Sequence, residues 1–183
     1  MVTVFLAEGF EEIEAVTPID ILRRGGVEVR TCSITDCRVV CGAHGIPFTA
    51  DTTLSELSDG EDVILLPGGM PGTVHLKECK KLAERIRKHH AEGGMLAAIC
   101  AAPTVFGEMG LLREARATCY PGMEDGLFCK ETSVEKSVLS GRILTSRGAG
   151  TAADFAFRLL AFLKGEQVSA QLAKAMCFEE AEG

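Results

Sequence analysis

The sequence lacks the features that bring a protein to a membrane or to a nucleic acid. Its 183 residues contain no apolar stretch close to the roughly 20 residues that a membrane-spanning helix needs. Acidic side chains outnumber basic ones by 26 to 19, and Lys and Arg do not cluster on any expected helix face. We therefore expect a soluble protein whose partners are small molecules or other proteins, with no nucleic-acid or membrane partner.

The sequence also lacks the cysteine spacing of a structural zinc site. None of its eight cysteines belongs to a CxxC pair. No basic leader precedes the first apolar run, and no GxxxxGK[ST] phosphate-binding loop or thiamine-type cofactor site occurs. We accordingly expect a cytoplasmic protein with reduced thiols, no metal and no cofactor.

The composition and the order of segments are typical of an α/β protein. The chain is 46% apolar and 25% charged, which is ordinary for a globular domain. Short apolar runs alternate with longer segments of helical period, a pattern that predicts a mostly parallel sheet with helices on both faces. The length supports one hydrophobic core, so we expect residues 1–183 to form a single domain.

The periodicity and the turn residues place the individual elements. Strands are predicted at residues 2–7, 27–32, 62–66, 94–99, 133–139 and 142–146, with a small antiparallel hairpin at 38–50. Helices are predicted at 12–24, 74–91, 103–110, 151–163 and 166–176. In a sheet of this kind, ligands bind at the carboxyl ends of the parallel strands.

Cys100 is the main candidate for a reactive group at that edge, because it lies between a buried strand and the start of a short helix. Backbone N–H groups at a helix N-terminus stabilise a thiolate and lower the pKa of the thiol. The alternative is a cysteine that simply packs in the core, which is the commoner fate of a cysteine after an apolar strand.

Two further features fall at the same edge. Gly68 and Gly69 end a predicted strand, and glycine there lets backbone N–H groups approach a ligand, although a plain turn would need glycine as well. Glu14 lies on the inward stripe of the first helix, and burial beside Cys100 would keep it protonated and able to move a proton. Most carboxylates at a helix start only favour the helix dipole.

No histidine is a convincing partner for Cys100. His44 falls in the hairpin, His75 opens a helix, and His89 and His90 end one. A conventional Cys-His pair is therefore not expected.

Four segments together resemble the ThiJ/PfpI superfamily, specifically its DJ-one-like branch, and the similarity runs nearly end to end. They read AEGFEEIEAVTPIDILRRGG, VILLPGG, AAICAAP and ILTSRGAGTAADFA. The resemblance implies a flavodoxin-like α/β sandwich that forms homodimers. It also implies a nucleophile elbow at Cys100, an acid at Glu14 that touches the sulfur, and oxyanion-binding N–H groups on Gly69 and Ala101.

The sequence departs from the family at one position. Family members often carry a histidine just before a proline, and here Tyr120 stands at that place, before Pro121. A phenol is a poor base at neutral pH, so a Cys-His protease or amidase is not favoured and Glu14 must handle the protons.

The resemblance implies a glutathione-independent glyoxalase and protein deglycase, acting on methylglyoxal-type dicarbonyls and on their adducts with proteins. One alternative is a redox sensor in which Cys100 is oxidised to sulfinic acid without steady turnover. Another is a stress-protective chaperone.

Two residues near the expected rim have open roles. Cys119 could act as a resolving thiol for oxidised Cys100, or it could be a core cysteine. Arg147 could bind a substrate anion, pair with Asp20 or Glu14, or hold a dimer contact.

Overall fold

A computed structural model describes residues 1–178 of the chain. Its strands are β1 Val2–Leu6, β2 Val29–Ser33, β3 Val39–Cys41, β4 Pro47–Thr49, β5 Thr52–Thr53, β6 Val63–Leu66, β7 Met95–Ile99, β8 Arg116–Ala117, β9 Glu131–Thr132, β10 Ser137–Ser140 and β11 Ile143–Ser146. Its helices are α1 Glu12–Arg24, α2 Gly72–Glu78, α3 Lys80–Ala91, α4 Pro103–Glu108, α5 Ala152–Lys164 and α6 Glu166–Ala175. Short 3₁₀ turns lie at Glu124–Leu127 and Ala149–Thr151.

Seven strands form the central sheet in the order β10-β11-β7-β6-β1-β2-β5. Every neighbouring pair is parallel except β10 and β11. The carboxyl ends of β11, β7, β6 and β1 therefore lie side by side at one edge, which is where loops can form a crevice.

Helices cover both faces of the sheet because its strands alternate apolar side chains to either side. One face packs against α1 and α5, through residues such as Ile19, Leu22, Phe155 and Leu159. The other face packs against α2, α3 and α4, through Leu76, Leu82, Ile86, Val105 and Phe106. These layers confirm the predicted α/β sandwich with a mostly parallel sheet.

The predicted hairpin is also confirmed, since β3 and β4 pair antiparallel as a separate two-stranded sheet. It attaches to the start of the chain through a bridge between Phe10 and Gly42. The carboxylate of Glu8 accepts a hydrogen bond from the backbone N–H of Cys41 at 3.1 Å. The hairpin is thereby held against the segment that leads into α1.

Two predicted boundaries are wrong. The helix expected at 74–91 is two helices, because Cys79 has extended backbone angles. The sequence did not predict this break, since no Gly or Pro marks it. The strand expected at 133–139 begins only at Ser137, since the Ser133 hydroxyl accepts the Glu135 N–H at 3.2 Å and holds a local turn.

No helix among residues 1–178 has the length and apolar character that a membrane crossing requires.

Candidate active site

Cys100 occupies a strained turn directly after β7. Its φ of 64° lies in the left-handed region, which a side chain other than glycine rarely adopts. The backbone is fixed on both sides: the Cys100 N–H donates to Ser146 at 2.9 Å, and its carbonyl accepts from Tyr120 at 2.8 Å. Strain held in place by such bonds is a feature of functional sites, where it aims a side chain.

Glu14 brings a carboxyl group to this sulfur from the first turn of α1. Its side chain is 1% exposed, and Oε2 accepts the backbone N–H of Gly68 at 2.9 Å. The Cys100 thiol and the backbone N–H of Ala149 lie close enough to this carboxyl group to lower its pKa. Three different loops therefore converge on one buried carboxyl group.

The loop after β6 packs so closely that only glycine fits. A Cβ on Gly68 would lie 2.7 Å from the Cys100 Cβ and 2.7 Å from the Glu14 Oε2. Gly69 has a φ of 92°, and its N–H and that of Ala101 lie close enough to the Cys100 sulfur to lower the pKa of the thiol. The structure thus brings together the four residues expected to carry the chemistry, Cys100, Glu14, Gly69 and Ala101.

Burial and mutual charge govern how the acid and the thiol ionise. Burial raises the pKa of Glu14 to about 7, although the hydrogen bonds from Cys100 and from the Gly68 N–H oppose the rise. Burial and the Glu14 charge raise the pKa of the Cys100 thiol to about 12, while the N–H groups of Ala101 and Gly69 lower it. Above about pH 7 the pair therefore carries one negative charge between its two groups.

The raised thiol pKa corrects the expectation that a helix N-terminus makes Cys100 an independent, low-pKa thiolate. Helix α4 begins three residues later, at Pro103, and has only six residues, so its dipole is small. Desolvation and the adjacent carboxylate outweigh the two backbone donors. The ionisation of Cys100 is therefore coupled to that of Glu14.

Tyr120 and Arg147 lie at the rim with different contacts. The Tyr120 side chain is 52% exposed, and its ring lies 3.5 Å from where a Cβ on Gly148 would stand. Arg147 follows β11 and is half-buried. Two of its expected partners are engaged elsewhere, because Asp20 pairs with Arg24 at 2.7 Å and Glu14 accepts the Gly68 N–H at 2.9 Å.

Cys119 belongs to the core of the opposite face of the sheet. It is 1% exposed and packs in the cluster that includes Phe106 and Leu127, whereas Cys100 packs against the cluster of α1 and α5. Burial raises the pKa of the Cys119 thiol to about 12. These surroundings favour the interpretation of Cys119 as a core cysteine.

Three histidines are engaged away from Cys100. His44 Nδ1 lies 2.9 Å from Glu12, His75 bonds the Glu8 carbonyl at 2.8 Å, and His89 bonds the Met95 carbonyl at 3.0 Å.

One contributor to the site was missed from the sequence, the backbone N–H of Ala149, which reaches Glu14 from the loop after β11. The Gly148-Ala149-Gly150 triplet of the fourth motif was the sequence signal that could have indicated this contact.

Comparison with known proteins gives related sequences and a matching solved structure. Residues 1–162 match the DJ-1/PfpI family. Protein DJ-1 homolog B of Arabidopsis thaliana is 43% identical over 91% of this chain, which spans 39% of that relative's length. A Caenorhabditis elegans protein named as a glutathione-independent glyoxalase is 35% identical over 93% of this chain and 91% of its own length.

A solved structure shows the same fold at similar identity. The oxidised form of Toxoplasma gondii DJ-1 superposes with a TM-score of 0.94 and 34% identity, covering 98% of both chains. The architecture is thus the flavodoxin-like fold of DJ-1 proteins. With family match, relatives and fold in agreement, the chain belongs to the DJ-1/PfpI family.

Proposed function

We propose that the chain is a cysteine-dependent, glutathione-independent glyoxalase that converts methylglyoxal-type dicarbonyls to hydroxy acids, and a deglycase for their early adducts with proteins. One observation carries the proposal. A thiol, a carboxyl group with a pKa near 7 and two converging N–H groups meet at a single strained turn. A family member named as a glyoxalase supports the choice of substrate class.

The first step is addition of the sulfur to the aldehyde carbon of methylglyoxal. Glu14 accepts the thiol proton as the S–C bond forms, since its pKa near 7 lets it hold or release a proton at neutral pH. The aldehyde oxygen becomes an alkoxide, which the N–H groups of Gly69 and Ala101 stabilise. Glu14 then returns the proton, which leaves a neutral hemithioacetal.

The second step moves a hydrogen between the two carbons of the substrate. The Glu14 carboxylate removes the proton on the former aldehyde carbon, which gives an enediolate with its negative charge on the former ketone oxygen. Glu14 then protonates the neighbouring carbon, and the hydroxyl proton of the first carbon passes to the oxygen of the second, which gives the thioester of lactate on Cys100. Water hydrolyses that thioester and restores the thiol. The aldehyde carbon is oxidised and the ketone carbon reduced, so no external oxidant or cofactor is needed.

Lactate formation tests the proposal directly. Methylglyoxal is incubated with the protein without added thiol, and the product is identified by proton NMR. We expect stoichiometric lactate, with turnover abolished in Cys100→Ser and retained in Cys119→Ser, the matched change at a core cysteine. Turnover that survives in Cys100→Ser would overturn the proposal.

A redox sensor is the second candidate, because the relative with the matching fold exists in an oxidised form. Peroxide converts a thiolate to sulfenic acid with release of water, and a second equivalent gives sulfinic acid. A protonated Glu14 could donate a hydrogen bond to the oxidised sulfur. Intact mass after peroxide titration, combined with an absence of lactate formation, would favour this function over the glyoxalase.

A further inference from the structure

A group of side chains outside the Cys100 site combines the ligand types that zinc prefers. Glu11 and Glu12 come from the start of α1, and His44 comes from the loop of the hairpin between β3 and β4. One carboxylate oxygen from each glutamate and a ring nitrogen of His44 lie within 4.8 Å of one another. Two elements that are distant in sequence therefore bring two carboxylates and one imidazole together.

The distances are close to those that tetrahedral zinc imposes. His44 Nδ1 lies 2.9 Å from Glu12 Oε2 and 3.5 Å from Glu11 Oε2. With zinc bonds of about 2.0–2.2 Å, tetrahedral ligand atoms stand roughly 3.4 Å apart. The carboxylate oxygens of Glu11 and Glu12 lie within 4.8 Å of each other, so binding of the ion requires the side chains to adjust toward this spacing.

The Glu12 carboxylate is oriented by the backbone, which is the way outer contacts hold a metal ligand. Its Oε1 accepts the N–H of His44 at 2.8 Å and that of Ile46 at 3.5 Å, which leaves Oε2 directed at the imidazole. A Cβ on Gly42 would lie 2.3 Å from this Oε1, so the hairpin closes tightly around the carboxylate. Glu12 is thus positioned whether or not an ion is bound.

Charge favours a divalent cation at this place. The Glu11 and Glu12 side chains are only 17% and 10% exposed, and within residues 1–178 His44 is the one basic side chain that pairs with either. Two carboxylates with a neutral imidazole balance a charge of +2, whereas buried like charges repel. The His44 side chain is 68% exposed, which gives an ion an entry path and room for water.

We propose that Glu11, Glu12 and His44 form a zinc site in which Glu11 Oε2, Glu12 Oε2 and His44 Nδ1 bind the ion and water completes its coordination. The ion would join the start of α1 to the hairpin. Because it binds the folded chain, zinc also raises the thermal midpoint of unfolding.

The test is a zinc titration of the reduced, metal-free protein in competition with a chromophoric chelator. We expect one ion per chain. His44→Ala should weaken binding by about 100-fold or more and Glu11→Gln by at least about 10-fold, since even loss of an outer contact costs 10–100-fold. His90→Ala, a matched change on α3, should bind as the wild type does.

Two controls keep the result unambiguous. Glu11 makes no hydrogen bond to the backbone through its side chain within the described part of the chain, so Glu11→Gln tests the site without disturbing the hairpin, and circular dichroism checks its fold. Cobalt reports on the ligands, because thiolate ligands give an intense near-ultraviolet charge-transfer band that His and carboxylate ligands do not. Wild-type protein that binds no zinc, equal affinity in His44→Ala, or a thiolate band with cobalt would each overturn the proposal.

Discussion

At the scale of single residues, the central feature is the pair formed by Cys100 and Glu14. The pKa of Glu14 lies near 7 and that of the thiol near 12, so the pair carries one negative charge above neutrality. Transfer of the thiol proton to Glu14 keeps that charge constant and creates the nucleophile. In the proposed function, the acid takes the place that a histidine has in a Cys-His pair.

Burial of the ionised Glu14 carboxylate should lower the free energy of unfolding. Glu14 has a raised pKa in the folded state, so the folded protein is favoured at acid pH and loses stability as the pH rises from about 4.5 to about 7. We predict that Glu14→Gln, which keeps the acceptor for the Gly68 N–H, raises the free energy of unfolding by about 1–3 kcal/mol at pH 8. Urea denaturation at pH 8 and at pH 4 measures the difference.

The measurement at pH 4 is the control for the measurement at pH 8. At pH 4 the Glu14 carboxyl is mostly protonated in both the folded and the unfolded chain, so most of the advantage of Gln should disappear. An advantage of equal size at both pH values would contradict a buried charge at Glu14.

Residue types, local motifs and the family resemblance were sufficient to predict which groups meet and that burial raises the pKa of Glu14, but not the direction in which the pKa of the thiol shifts. Cys100, Glu14 and Gly69 were named from their places after predicted strands or on an inward stripe. The thiol pKa was predicted in the wrong direction, because it depends on burial and on the distance to Glu14, and neither quantity can be read from a sequence. The contact between the Ala149 N–H and Glu14 was missed for the same reason.

At the scale of elements, three strand ends determine the site. Strands β7, β6 and β1 are neighbours, and the loops after them supply Cys100, Gly68 with Gly69, and the start of α1 with Glu14. The glycine after β6 allows the other two loops to approach each other.

Gly68→Ala should misplace both reacting groups. The new Cβ would stand 2.7 Å from atoms of Cys100 and of Glu14, so one of them must shift. Because displacements of about 1 Å can cost about 100-fold, we predict a fall of that order in kcat/KM for methylglyoxal. Steady-state kinetics provide the measurement.

Gly150→Ala is the matched control in a neighbouring loop, since a Cβ there meets nothing within 4 Å. It should retain wild-type kinetics. Unchanged activity in Gly68→Ala would show that the loop after β6 does not position the pair.

Most elements were predictable because their periodicity and turn residues agree. The break at Cys79 was not, since no sequence signal interrupts the helical pattern of α2 and α3. The two-residue strands β5, β8 and β9 are too short to give a pattern of their own.

At the scale of the whole molecule, an apolar surface lies beside the hairpin. A groove of about 290 Å³ runs between α1 and β4, and several side chains along it are exposed although apolar. The main apolar residues of the groove are Phe10, Ile13, Val16, Ile46 and Phe48. A second copy of the chain is the expected occupant, because the family resemblance implies a homodimer.

We predict a dimer by light scattering after size-exclusion chromatography. Val16→Glu should shift it toward monomer, because a charge buried in an apolar contact is costly. Val134→Glu is the matched change at a residue that is 83% exposed and outside the groove, and it should leave the dimer intact. A monomeric wild-type protein would contradict the assignment.

The most direct test of the shared charge is the pH dependence of Cys100 alkylation by iodoacetamide, measured by intact mass. The Cys100→Ser variant shows which part of the alkylation occurs at Cys100. In the wild-type protein the rate should rise with a midpoint near pH 7, because ionisation of the pair populates the thiolate once Glu14 can accept the proton. In Glu14→Gln that midpoint should vanish, and the rate should rise only above about pH 8.5, in the range of an ordinary or buried thiol. Identical midpoints in the two proteins would contradict the claim that Glu14 controls the charge on the sulfur.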